Sequence, residues 1–350
     1  MLAQVTHILG LTSIRRVRLL PVGGRVLVSP GQSVHASDAI AEADTAVRHL
    51  LLDVRRGLGL SRVDETHRAI VRKEGERVQE GDIIAETGGL FSRIVRAPVA
   101  GRIVTIAGGR VLLQVESRPL RVFAGISGVV SEIYPERGAA IESSGGLIQG
   151  AWGNGPFVGE GMLVVQLKSP DEEIKISQLE VSLRGSIVVA GYCSDAEVLR
   201  FAAQLPLRGL VLASMPSELI PVARGLDLPI LLLEGFGRVA MNELAYRLLT
   251  TSDQRDASIF TAFNPAAGER PELFIPLPSI GQPAPETAYF APNQTVRLQG
   301  EPYRGRIGTI GQVFPGLTVL PNGLRAPAAE VRLEQDTQVI VPLANLEVIV

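Results

Sequence analysis

Residues 26–42 and 70–86 spell one phrase twice, at an offset of 44 residues. Gly31/Gly75, Val34/Val78, Asp38/Asp82, Ile40/Ile84, Ala41/Ala85 and Glu42/Glu86 are identical. The phrase has a physical logic. Gly-x-x-Val puts a glycine in a tight turn between two short strands and then directs an apolar residue inward. Asp-x-Ile-Ala makes a second turn and a second buried strand. A complementary phrase, Arg96-Ala97-Pro98-Val99-Ala100-Gly101-Arg102-Ile103, follows the second copy. A weaker version, Ala124-Gly125-Ile126-Ser127-Gly128-Val129-Val130, lies 27 residues further on and leads to Gly138-Ala139-Ala140-Ile141. A chain with this much internal repetition of turn and strand is built from small β modules.

At 350 residues there is room for two or three domains, each with its own core. Charged residues are 20% and hydrophobic ones 46%, the balance of a folded chain. No apolar run reaches the ~18 residues that span a bilayer, so no membrane insertion is expected. Met1-Leu2-Ala3-Gln4-Val5-Thr6-His7 lacks the basic start and apolar core of a signal peptide, and Cys193 is the only cysteine. Both features point to the cytoplasm. The net charge of −2, without blocks of one sign, argues against a nonspecific nucleic-acid or membrane-surface binder.

Residues 14–170 read as β-rich, with short strand runs between Gly and Pro turns. Within them Val47, Leu50, Leu51, Val54 and Leu58 recur at helical spacing, predicting a helix over 45–62. Residues 180–263 alternate instead. Apolar runs at Ser186–Ala190, Gly209–Ala213 and Pro229–Leu233 predict buried strands. Helices are predicted from Ser194 or Asp195 to about Leu205, from Pro216 to about Gly225, and over Val239–Leu249. This alternation is that of a small Rossmann-like parallel layer. Seven prolines between 264 and 292 argue against regular ladders and predict an extended linker. Residues 293–350 are β-rich again.

The two phrases and their complement resemble the biotinyl/lipoyl-like, or barrel-sandwich hybrid, family over about residues 20–167. In lipoyl carriers the first half-motif runs into a hairpin-tip lysine that bears the cofactor. Here Thr45 and Gly89 stand at the equivalent positions, and neither forms the amide to lipoate or biotin. The resemblance therefore implies unmodified modules and no cofactor. Val296–Ile310 resembles the KOW motif of SH3-like barrels, with Gly305 and Gly308 at the bend and Val296, Leu298, Ile307 and Ile310 alternating inward. The expected architecture is multidomain and β-rich with an α/β insert. It comprises a lipoyl-like β-sandwich pair (14–170), a small parallel α/β layer (180–263), a proline-rich linker (264–292) and a C-terminal SH3-like β-barrel (293–350).

No catalytic constellation stands out. There is no Gly-x-Gly-x-x-Gly, no P-loop and no metal-ligand spacing, and the histidines (His7, His35, His49, His67) are widely spread. The ligand-binding candidates are residues at the carboxyl ends of the parallel strands, where open sheets bind ligands: Cys193, Ser194, Ser214, Ser217 and Glu234. Cys193 precedes a helix N-terminus, which lowers a thiol pKa, but no base lies near it in sequence. Nucleic-acid or partner contacts fall to Arg297, Tyr303, Arg304 and Arg306. Residues 293–350 have five Arg against five Asp plus Glu, whereas phosphate binding wants a positive surplus. A non-catalytic scaffold with a protein partner is the leading expectation. The alternatives are an RNA-associated factor acting through the KOW-like segment, and an enzyme or small-ligand sensor using the strand ends.

Overall fold

The computed structural model describes residues 2–44, 48–88, 92–115, 119–264, 269–279, 281–283, 288–333 and 337–350. Both copies of the doubled phrase share a set of turn bonds at matched positions. Gly31 and Gly75 take φ of 78° and 83°, the left-handed region that favours glycine. Their N–H groups donate to Val130 O and Ile103 O at 2.8 and 2.7 Å. Gln32 Oε1 accepts from Ser29 N and Glu76 Oε2 from Lys73 N, at 3.0 and 2.9 Å. Asp38 and Asp82 close the next turn by accepting from His35 N and Gln79 N, at 2.8 and 3.0 Å. Val34, Ile40 and Ala41 are buried, and so are Val78, Ile84 and Ala85.

Each copy pairs with one copy of the complementary phrase. Val34 stands opposite Gly128, and Val78 opposite Gly101. The second pairing lies wholly within the stretch of chain between the two parts of the first, so the repeat is nested rather than consecutive. A Cβ on Gly128 would meet Glu142 O at 2.3 Å, and one on Gly101 would meet Gln114 O at 2.4 Å. Both glycines are required by close backbone approach.

The chain divides into two compact units. One comprises Leu20–Arg25 and Glu42–Arg121 and has its own core of Val54, Leu58, Val78, Ile84, Ile103, Val111 and Leu113. The helix predicted over 45–62 is only partly present there. His49–Leu52 is a strand paired with Arg110–Val115, and helices follow at Val54–Leu58 and Val63–Ala69. Leu50 and Leu51 alternate between half-buried and exposed, a period-2 pattern that a short apolar run does not distinguish from a helical one.

The other unit, Met1–Leu19, Val26–Ala41 and Val122–Val350, contains the α/β layer. Val158–Val165, Ser186–Tyr192, Gly209–Met215 and Ile230–Phe236 run parallel in that order. Helix Ala196–Gln204 is capped by Asp195 and helix Glu243–Thr251 by Asn242; a shorter helix spans Ile220–Arg224. Val188, Leu210, Leu212 and Leu232 pack on one face of the sheet, and Ile187, Val189, Val211 and Leu231 on the other. Both faces being covered explains the unbroken apolar runs.

The same sheet continues antiparallel through Asp256–Phe260, Glu272–Pro276 and Gly138–Gln149. Glu272–Pro276 falls inside the proline-rich stretch expected to lack ladders. Its prolines, Pro271 and Pro276, stand just before and at the end of the strand, so the donors between them stay free to pair. A further sheet is formed by Thr295–Leu298, Ile307–Val319, Arg325–Leu333, Gln338–Pro342 and Leu346–Ile349. Leu2–Thr6 joins it, parallel to Leu346–Ile349. Val296, Leu298, Ile310, Val331 and Val348 form its core. Among the described residues no helix is long and apolar enough to cross a membrane.

Candidate functional site

At the carboxyl ends of the parallel strands, most of the candidate side chains are already engaged. Cys193 is fully buried; its N–H donates to Ser214 O and its thiol to Asp195 O. Burial pushes the thiol up to about 12, outweighing the bond to Asp195 O that lowers it. Desolvation thus overrides the helix N-terminus, and the sulfur is a protonated core atom at neutral pH. Ser214 is buried and uses its hydroxyl twice, donating to Val239 O at 2.7 Å and accepting from Val239 N at 3.1 Å. Ser194 is exposed and bonds Glu173. Ser217 is exposed, 3.4 Å from Glu218.

Glu234 and Arg297, expected in two separate sites, meet each other. Glu234 Oε1 accepts from Asn242 N and Nδ2 at 2.9 and 2.6 Å. Its Oε2 lies 3.1 Å from Arg297 Nε, and the two side chains are 0% and 3% exposed. That contact is a charge pairing without hydrogen-bond alignment. Arg297 also lies 3.5 Å from Glu347, which in turn pairs with Arg270 at 2.6 Å and accepts from Gln299 at 2.7 Å. Burial raises the Glu347 carboxyl, but the Arg297 and Arg270 charges hold it below the usual range. The cluster fastens the end of strand Ile230–Phe236 to the C-terminal sheet. Arg297 is therefore absent from any exposed basic patch. Arg304 and Arg306 remain exposed, and Tyr303 packs half-buried against the C-terminal core. Thr45 and Gly89 lie outside the described residues.

A cleft of about 510 Å³ opens at the opposite, amino ends of the parallel strands. Phe157, Val158, Leu207 and Pro229 give it an apolar wall, and His35, Ser37, Glu160, Arg208 and Asp227 give it polar groups. Glu160 accepts from Ser127 Oγ at 2.7 Å and from Ser37 Oγ at 3.3 Å, and its Oε1 lies 3.2 Å from His35 Nδ1. Burial raises the Glu160 carboxyl, yet these bonds outweigh it and leave the group lower than usual. The carboxylate accepts from Nδ1–H, which leaves Nε2 as a lone-pair acceptor free to face a ligand's donor. Sequence reasoning missed this site because His35 and Glu160 are 125 residues apart. Only the turn chemistry of His35–Asp38 was legible.

The hairpin Ile307–Leu333 is the third notable feature. Leu317, Val319 and Leu324 are 67%, 55% and 65% exposed. Arg325 is the only charged residue between 307 and 329. No protein-family model matches the chain, and no curated protein matches it.

Proposed function

We propose that this chain is a non-catalytic interaction protein, built from unmodified lipoyl-like modules and a KOW-like barrel, that binds a protein partner through the hairpin Ile307–Leu333. The observation that carries the reading is the stretch 307–329 of this hairpin, with one charged residue and three large apolar side chains in solvent. Apolar exposure concentrated in one place marks an interaction surface. The single charge in 23 residues selects an apolar protein groove. A membrane surface or a nucleic acid would call for a cationic surplus. The matched hydrogen bonding of the doubled phrase supports the lipoyl-like reading, and Thr45 and Gly89 favour structural modules over carriers. The RNA reading loses Arg297 to the interior, and the strand-end reading loses Cys193, Ser214 and Glu234 to structural bonds.

A photo-crosslinking residue at Val319, with Glu136 as the control position, tests this in cells. The expected result is a crosslink to one defined protein. That protein, once purified, should bind the wild type and lose about tenfold or more in affinity for the Leu317→Asp/Leu324→Asp variant, whose melting temperature is unchanged. Crosslinking only to a second copy of the chain, or no more than at Glu136, would overturn the proposal.

A further inference from the structure

The cleft at the amino ends of the parallel strands sets an arginine and an aspartate, both without a partner among the described residues, against one apolar wall, beside the Glu160 carboxylate that its own donors occupy. Arg208 and Asp227 are both exposed and line it. Among the described residues neither side chain has an ion pair or a hydrogen bond. His35 adds a third polar group, with Nδ1 held by Glu160 and Nε2 unbonded among the described residues. Glu160 itself is occupied by its serine and histidine donors, so it does not compete for a ligand. A simple anion would satisfy Arg208 but would face Asp227 and the lone pair of His35 Nε2. A simple cation would satisfy Asp227 but would face Arg208. A molecule with both charges uses every group, and the volume of about 510 Å³ is in the small-molecule range.

We propose that this cleft binds a small zwitterion with an apolar side chain, of the α-amino-acid class. Arg208 takes its carboxylate, Asp227 and the lone pair of His35 Nε2 take its ammonium, and Phe157 and Leu207 cover its side chain. Glu160 is a positioning residue that holds the imidazole. The proposal is independent of the hairpin, which lies in another part of the same unit.

Calorimetric titration of the full chain with L-phenylalanine, phenylacetate and phenethylamine tests it. The last two lack the ammonium and the carboxylate respectively. Phenylalanine is expected to bind saturably, about tenfold or more tighter than either fragment. Arg208→Gln and Asp227→Asn should each weaken phenylalanine by about tenfold. Neither should move the melting temperature of the unliganded protein, since neither side chain has a partner to lose. Arg208→Gln should not weaken phenethylamine and Asp227→Asn should not weaken phenylacetate, because each variant removes the like charge that the fragment faces. Phenylacetate binding as tightly as phenylalanine would reduce the site to an anion site and overturn the assignment. So would no saturable phenylalanine binding up to about ten millimolar, the weak limit for a small-ligand site of this kind.

Discussion

Burial decides what Cys193 can do. Its place before a helix is one where a thiol becomes reactive when exposed to solvent and to a base. The structure puts it under the sheet instead, with its proton bound more tightly than in water. At pH 8 a thiol raised to about 12 is ionised roughly once in ten thousand, against about one in ten for a free cysteine. Iodoacetamide should therefore label native Cys193 about a thousandfold more slowly than the urea-unfolded chain. Native labelling at the unfolded rate would show that the sulfur is open to solvent. Glu234 teaches the complementary lesson. Its place at the end of an apolar strand was legible in the sequence. Its charge partner, 63 residues away in Arg297, was not.

At the level of elements, the doubled phrase is the strongest case of sequence dictating structure. Identical glycine, aspartate and valine positions give matching turn bonds because each residue type solves a local problem. Gly31 and Gly75 accept positive φ, and Asp38 and Asp82 bond backbone nearby. The complementary glycines answer to a neighbouring strand. Gly101→Ala and Gly128→Ala each force a Cβ onto a backbone carbonyl and should each cost about 1–3 kcal/mol in urea denaturation. Gly23→Ala, with open space around it, should fall within about 0.5 kcal/mol of the wild type. Hydrogen exchange separates the two sites. Gly101→Ala should speed exchange over 101–115 and Gly128→Ala over 128–142. Equal protection in wild type and variants would mean that the phrases are not held by these close approaches. The proline-rich stretch shows the limit of local rules. Proline density disfavours ladders on average, yet a few residues between Pro271 and Pro276 suffice for a central strand.

Across the whole molecule, buried carboxylates join segments far apart in the chain. Glu272 pairs with Arg16 and Arg18 at 2.7 and 3.1 Å, and Glu347 joins Arg270, Arg297 and Thr6. Burial raises the Glu272 carboxyl, but the two guanidinium groups overcome this and hold it below its ordinary value of 4.5. A folded value lower than the unfolded one makes a stabilising contribution that is present in full above the unfolded value. The contribution erodes as pH falls below that point and is gone once pH has passed the folded value. Stability should therefore be flat from neutrality to about pH 5 and fall more steeply below it. Glu272→Gln should lower the plateau and flatten the acid limb, as read by urea midpoints against pH. An unchanged acid limb in that variant would place the acid sensitivity elsewhere.

The sequence by itself determined the β modules, the order of strands and helices in the α/β layer, and the turn chemistry of the repeat. These depend on residues within about ten positions of one another, where periodicity, capping and glycine geometry act. Only the tertiary structure decided that the repeat is nested, that Leu2–Thr6 completes the C-terminal sheet, and that Glu234 and Arg297 neutralise each other. It also brought His35, Glu160, Arg208 and Asp227 to one cleft. Each of those outcomes depends on contacts between distant segments, and on the cost of burying a charge or a backbone donor without a partner. Local pattern states that a group is present. Only the packed fold states what it faces.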